Sequence, residues 1–329
     1  MSAPERIPPG RVSPLALAPD EARALLTGGE LTVAGRIRGA SNAVLFCTVA
    51  DGGRTAECVY KPVAGERPLW DFPDGTLAQR EVAAYEVSQA TGWGLVPPTV
   101  LRDGPFGEGM CQLWIPAADS GSPDDTDTDS HIDSGTAADT GSETDSETET
   151  DSENDSGTAA GPGDAAPAGA DLLALVDGDE PGPGWKAVGY AETGQGHPAL
   201  LVHADDVRLR RLAVLDAVIN NGDRKGGHLL PAPGGRLYAI DHGVTFHTDD
   251  KLRTLLWGWA GEPLPAEAVA VLRGLAGGLA ADGPLAARLA PLITPAEVAA
   301  LSARIAALLA SGRHPEPSGE WPAIPWPPL

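Results

Sequence analysis

The segment from Asp119 to Gly169 divides the chain before anything else can be read. It is almost wholly Asp, Glu, Ser, Thr, Gly, Ala and Pro, with near-repeats such as Glu143-Thr144-Asp145-Ser146-Glu147-Thr148-Glu149. Such a stretch buries too little apolar surface to offset the entropy of ordering it, so residues 117–170 are expected to be a disordered insert. Asp125, Asp127 and Asp129 have the opening spacing of a calcium loop. Ser130 and Thr136, however, stand where that loop needs its glycine and its bidentate glutamate, so no EF-hand is expected. The insert carries 15 of the 46 acidic residues and no Lys or Arg. Without it, 31 acids face 23 bases, a balance that argues against a nucleic-acid binder.

The flanks are long enough for one large domain or two lobes. Cys47, Cys58 and Cys111 have no CxxC spacing and are odd in number, so they are expected to be buried free thiols. No apolar run approaches the roughly 18 residues of a membrane span, and the N-terminus lacks an apolar leader core, so a cytoplasmic protein without stable membrane insertion is expected.

Residues 1–29 read as a Pro-rich extension and a short helix, Glu21–Thr27, capped by Asp20. Residues 30–116 alternate with the period of strands at 31–38, 43–49, 56–61, 99–102 and 111–115, around a helix at 77–91 that closes at Gly92. From 171 to 312 the pattern is mainly helical, over 205–220, 265–280 and 295–310, with a strand pair at 228–230 and 237–240. The last helix opens on the capping box Thr294-Pro295-Ala296-Glu297. Trp257 and Trp259 read as core, Arg208, Arg210 and Arg211 as a solvated helix face or, alternatively, a dock for the acidic insert, and residues 313–329 as a Pro/Trp-rich tail across the second lobe.

Two polar stretches flank the strand pair: Asn220-Asn221-Gly222-Asp223-Arg224-Lys225-Gly226-Gly227-His228 before it and Ile240-Asp241-His242-Gly243 after it. Phosphoryl transfer needs a carboxylate near the attacking hydroxyl and ligands for a divalent ion on the phosphates. Asp223 suits the first task, His228 and Asp241 the second. Lysine is rare here, four residues against 19 arginines, so Lys61 at a strand end suggests a role for a slim ammonium reaching phosphate. Glu81 and Glu86, on the next helix, are candidate partners, and the spacing alone does not choose between them. The turn Gly39-Ala40-Ser41-Asn42 offers backbone N–H groups to phosphates.

In this combination Lys61, Glu81, Asp223-Arg224-x-x-x-His228 and Asp241-His242-Gly243 resemble the phosphatidylinositol 3-/4-kinase-like branch of the protein-kinase fold. The strings Arg80–Tyr85, Asn220–His228, Ile240–Gly243 and Lys251–Trp259 resemble an actinobacterial family labelled phosphatidylinositol kinase. The resemblance covers roughly residues 30–116 and 170–312. It implies an α+β, two-lobed kinase-like fold with a small β-rich first lobe and a mainly helical second. It also implies ATP with Mg²⁺ or Mn²⁺ as cofactors and transfer of the γ-phosphoryl group to a hydroxyl of a lipid, protein or small molecule. The catalytic set would be Asp223, Lys61, Glu81 and Arg224. Gly39, Ser41, Asn42, Lys61 and the hinge Gln112, Leu113, Trp114 and Ile115 would hold the nucleotide, and His228 and Asp241 the metal. His228 stands where the family has Asn, and His242 where it has Phe. Imidazole suits Mn²⁺ better than Mg²⁺, and a nucleotide-binding module with weak or no catalysis is the alternative reading.

Overall fold

The computed structural model describes residues 10–11, 17–37, 42–73, 75–116, 172–192 and 198–328. The acidic insert, Gly39 and Ser41 lie outside the described residues. The protein is of the mixed α+β class, with an antiparallel sheet at the N-terminal side and helices concentrated at the C-terminal side.

Helix α1 (Pro19–Gly28) packs on a sheet built from β2 (Glu30–Arg36), β3 (Leu45–Asp51), β4 (Arg54–Pro62), β5 (Thr99–Gly104) and β6 (Gly107–Leu113), in the order β2-β3-β4-β6-β5. A short β1 (Gly10–Arg11) runs parallel to the start of β4. Asp51 pairs with Arg54 around Gly52 and Gly53, both at positive φ, as a tight hairpin turn demands. Strand alternation puts Cys47, Val49, Cys58, Tyr60 and Cys111 against Leu25 and Leu26 of α1 in a small core, and the three thiols are free and buried, as expected. Asp20 is not the cap of α1. The helix begins at Pro19, its N-cap is Ala18, and Glu21 reaches back to the Ala18 amide at 3.1 Å.

Helix α2 (Leu77–Thr91) is buried on nearly every face. Its outer half belongs to the larger core, with α3 (Val207–Ile219), α4 (Ala266–Gly278), α5 (Pro284–Leu289) and α6 (Pro295–Ser311). The sheet is therefore joined to the helical region through one shared helix. Buried Arg80 strengthens that join by pairing with Glu297 of α6 and donating to Thr245 O at 2.6 Å. The Thr294 capping box forms as expected, and Trp257 and Trp259 are buried.

A three-stranded sheet, β7 (Leu173–Val176), β8 (Trp185–Glu192) and β9 (Pro198–Ala204), ordered β7-β9-β8, precedes α3. The pattern reading leaves these strands out. The paired strands β10 (Leu229–Ala232) and β11 (Arg236–Ala239) follow α3 as expected. The arginines of α3 each have a local partner: Arg208 takes Asp206, Arg210 takes Glu262 and Arg211 takes Glu267. The tail crosses this region. Ala323 O accepts from Thr254 N at 3.0 Å and from Trp257 Nε1 at 2.9 Å, and Pro328 O accepts from Gly226 N at 2.9 Å.

Candidate active site

Distant stretches of chain meet in one cleft of about 520 Å³, among them the end of β4, the first turns of α2, the loop after α3 and the loop after β11. On β4, alternation turns Tyr60 into the core and Lys61 to the opposite face. Lys61 Nζ donates to Glu81 Oε1 at 2.8 Å and also pairs with Asp241, 180 residues away in sequence. The second oxygen of Glu81 accepts the His242 amide at 2.8 Å, so this one carboxylate fixes both the lysine and the loop bearing Asp241. Glu86, the other acid of α2, faces elsewhere and pairs with Arg23 at 3.1 Å and Arg288 at 2.7 Å.

Burial opposes the charge on Lys61, but Glu81 and Asp241 outweigh it and hold the ammonium's pKa above its ordinary value. Desolvation likewise works against the Asp241 carboxylate. Lys61 first, then His228, prevails and keeps it well below the usual range. His228 Nε2 lies 3.5 Å from Asp241 Oδ2. Burial pushes the His228 pKa down to about 4, against the pull of Asp241, which leaves a neutral imidazole with a lone pair near pH 7. Asp223 is anchored by its amide on Asn221 Oδ1 at 3.0 Å and pairs with Lys225 Nζ at 3.1 Å.

The loop after α3 alternates. Asp223 and Lys225 line the cleft, whereas Arg224 between them is fully buried. Its guanidinium donates to both Asp216 oxygens at 2.9 and 3.0 Å and to Ile240 O at 2.9 Å, and lies 2.7 Å from His242 Nε2. Asn221 Nδ2 and Thr254 Oγ1 complete the Asp216 shell. Arg224 is thus a brace beneath the cleft and not one of its lining groups. His242 is its buried neighbour, neutralised by burial and by Arg224.

Two non-glycine residues adopt positive φ at the ends of this arrangement, Asn220 at 55° and Asp241 at 59°. Such backbone persists when surrounding bonds over-determine it. Asn220 has three of them, donating to His247 O and Asp249 O and accepting from Lys251 N.

Asn42 lines the cleft, as expected of the turn it closes. Gln112, Leu113, Trp114 and Ile115 do not line it beside Lys61. The Gln112 amide donates to Thr99 Oγ1 at 2.9 Å, Leu113 sits in the small core, Trp114 packs edge-on against Phe46, and Ile115 is buried. The residue of that strand that does line the cleft is Met110. The pattern reading also omits Lys225 and Arg67. The rarity of lysine was a signal for Lys225, while nothing in the string Glu66-Arg67-Pro68 marks Arg67.

Among the described residues there is no group of three or more His, Cys, Asp or Glu placed to hold a metal ion, and no helix is long and apolar enough to cross a membrane. What fold and cleft define together is an α+β protein with a polar cleft lined by side chains from several distant stretches of chain. No family model matches the chain. It is 46% identical over 308 residues to Protein Rv2133c of Mycobacterium tuberculosis, covering 94% of this chain and 95% of that protein, and it belongs to the same family.

Proposed function

We propose that the protein is a phosphotransferase with a kinase-like, two-lobed architecture, moving the γ-phosphoryl group of ATP to a hydroxyl acceptor. The observation that carries this reading is the convergence on Lys61: a strand lysine, a helix glutamate and the Asp241 carboxylate are joined in a cleft that also presents Asp223 and His228. A phosphate-binding lysine oriented by a helix acid, facing a metal-binding aspartate and a loop aspartate, is what this chemistry requires.

Lys61, held cationic by its two carboxylates, would neutralise the phosphates. Glu81 would keep Lys61 and the Asp241 loop in register. Asp223 would orient the acceptor hydroxyl and take its proton as the oxygen attacks the γ-phosphorus and the bond to the β-phosphate oxygen breaks. Lys225, ion-paired to Asp223, would steady that carboxylate and the transferring group. Asp241 and neutral His228 would hold a divalent ion, which would supply neutralisation of phosphate charge. Most of the rate enhancement would come from fixed charges in a shaped cleft.

A second reading, a nucleotide-binding switch with little or no transfer, draws on one observation: Lys61 and Asp241 are paired directly with each other. The test is ADP formation from ATP with Mg²⁺ or Mn²⁺ across a panel of lipid, peptide and small-molecule hydroxyls. Metal-dependent turnover lost in Asp223→Ala with nucleotide binding retained supports transfer. Binding without turnover supports the switch, and absence of binding overturns both.

A further inference from the structure

We infer that Arg67 is a second phosphate ligand of the cleft, gripping the polyphosphate of the nucleotide alongside Lys61; this rests on the nucleotide reading above. The argument is an accounting of charge. Of the charged side chains that line the cleft, Lys61 is shared by Glu81 and Asp241, Asp223 is paired with Lys225, and Glu66 accepts the first amides of α2, Leu77 N at 3.1 Å and Ala78 N at 2.7 Å. The Arg67 side chain alone, exposed at the cleft wall, has no hydrogen bond or ion pair among the described residues.

Its backbone amide, by contrast, is held. Arg67 N donates to Asn42 Oδ1 at 2.9 Å, and Ala43 N donates to Gly65 O at 3.0 Å. The approach at Gly65 is so close that a Cβ there would come 2.4 Å from Ala43 Cβ, so only glycine permits it. Arg67 is therefore held beside Asn42, which also lines the cleft. Further along, Asp71 pairs with Lys251 at 3.3 Å, and Lys251 Nζ sits 3.6 Å from the Trp321 ring and 4.7 Å from the Trp70 ring. A rigidly mounted loop that leaves one guanidinium free in a cleft suits an anion with planar pairs of oxygens, and phosphate is such an anion.

The test is calorimetric titration of the full chain and of Arg67→Gln and Arg67→Lys with ATP, inorganic tripolyphosphate and adenosine. The inference predicts that Arg67→Gln weakens ATP and tripolyphosphate by roughly ten- to a hundredfold, as for lost hydrogen bonds to a charged group, while adenosine changes less than about twofold. Arg67→Lys recovers part of the loss. Unchanged ATP and tripolyphosphate affinities in Arg67→Gln overturn the inference and leave the nucleotide reading standing. An equal fall for all three ligands overturns it as well, because Arg67 would then be shaping the cleft and not gripping phosphate. Wild-type protein that binds none of the three removes the nucleotide reading itself, and the inference with it.

Discussion

The cleft-facing groups and the polar layer directly beneath them use the same chain segments in opposite ways. Above, Lys61, Asp223, Lys225, His228 and Asp241 are partly open to solvent, with ion pairs joining Lys61 to Asp241 and Asp223 to Lys225 and with the neutral His228 ring beside Asp241. Below, Asp216, Asn221, Arg224, His242 and Thr254 are buried and held by hydrogen bonds with no access to the cleft. The change from one to the other occurs between adjacent residues, at Asp223 and Arg224. Position in a motif-like string therefore does not decide whether a residue acts on a ligand or braces the loop that does. Burial and partners decide it.

The sharpest way to separate the two layers is to remove one carboxylate from each. Asp223→Asn is expected to lower phosphoryl transfer by about 10²- to 10⁴-fold, the usual contribution of a positioned acid or base, with stability within roughly 0.5 kcal/mol of wild type. Steady-state ADP formation and urea unfolding measure the two effects. Asp216→Ala should do the reverse, stranding the buried Arg224 guanidinium at a cost of about 3 to 5 kcal/mol, read as a lower urea midpoint. If the Asp216 variant unfolds like wild type, the lower layer is not the brace described above.

Acid should act on neutral histidines at the cleft and away from it. Burial, more than any neighbouring charge, lowers the pKa of His203, His228 and His314 to about 4. The unfolded chain, titrating at the ordinary value near 6.5, then binds more protons than the folded one between those values. Their contribution is complete above about pH 6.5 and is lost as pH falls toward 4, by about 1.4 kcal/mol per pH unit for each histidine. Urea unfolding at pH 7, 6 and 5 checks the slope, and His228→Gln should reduce it by one histidine's share. The smallest effect belongs to the loop mounting. Lys251→Met removes the Asp71 pair and both ring contacts and should cost about 1 kcal/mol, with faster amide exchange over residues 66–72.

Much of this arrangement was legible in the sequence, and the misses have physical causes. Period-2 and 3.6-residue patterns located most of the sheet and the long helices, with Gly92 and the Thr294 capping box marking ends of α2 and α6. β7, β8 and β9 escaped because β7 spans four residues and β8 carries an irregularity between Ala187 and Gly189 that breaks alternation. The run Leu200-Leu201-Val202 was the available signal for β9. At the cleft, Lys61, Glu81, Asp223, His228 and Asp241 were all picked out, and the structure brings them together. The inward direction of Arg224 was not legible, because it is set by Asp216, Ile240 and His242, partners that the local string does not encode. Arg67 was not seen because its setting depends on Gly65 and Asn42, contacts that no local periodicity encodes.

The central claim, a nucleotide and metal site built on Asp241 and Lys61, is tested most directly by thermal unfolding with ATP, with and without Mg²⁺ or Mn²⁺, on wild type and Asp241→Asn. A ligand that binds only the folded state raises its apparent stability by mass action. The account predicts a metal-dependent rise in Tm with ATP that disappears in Asp241→Asn. An unchanged Tm with every nucleotide and metal, or an equal rise in both proteins, would contradict it.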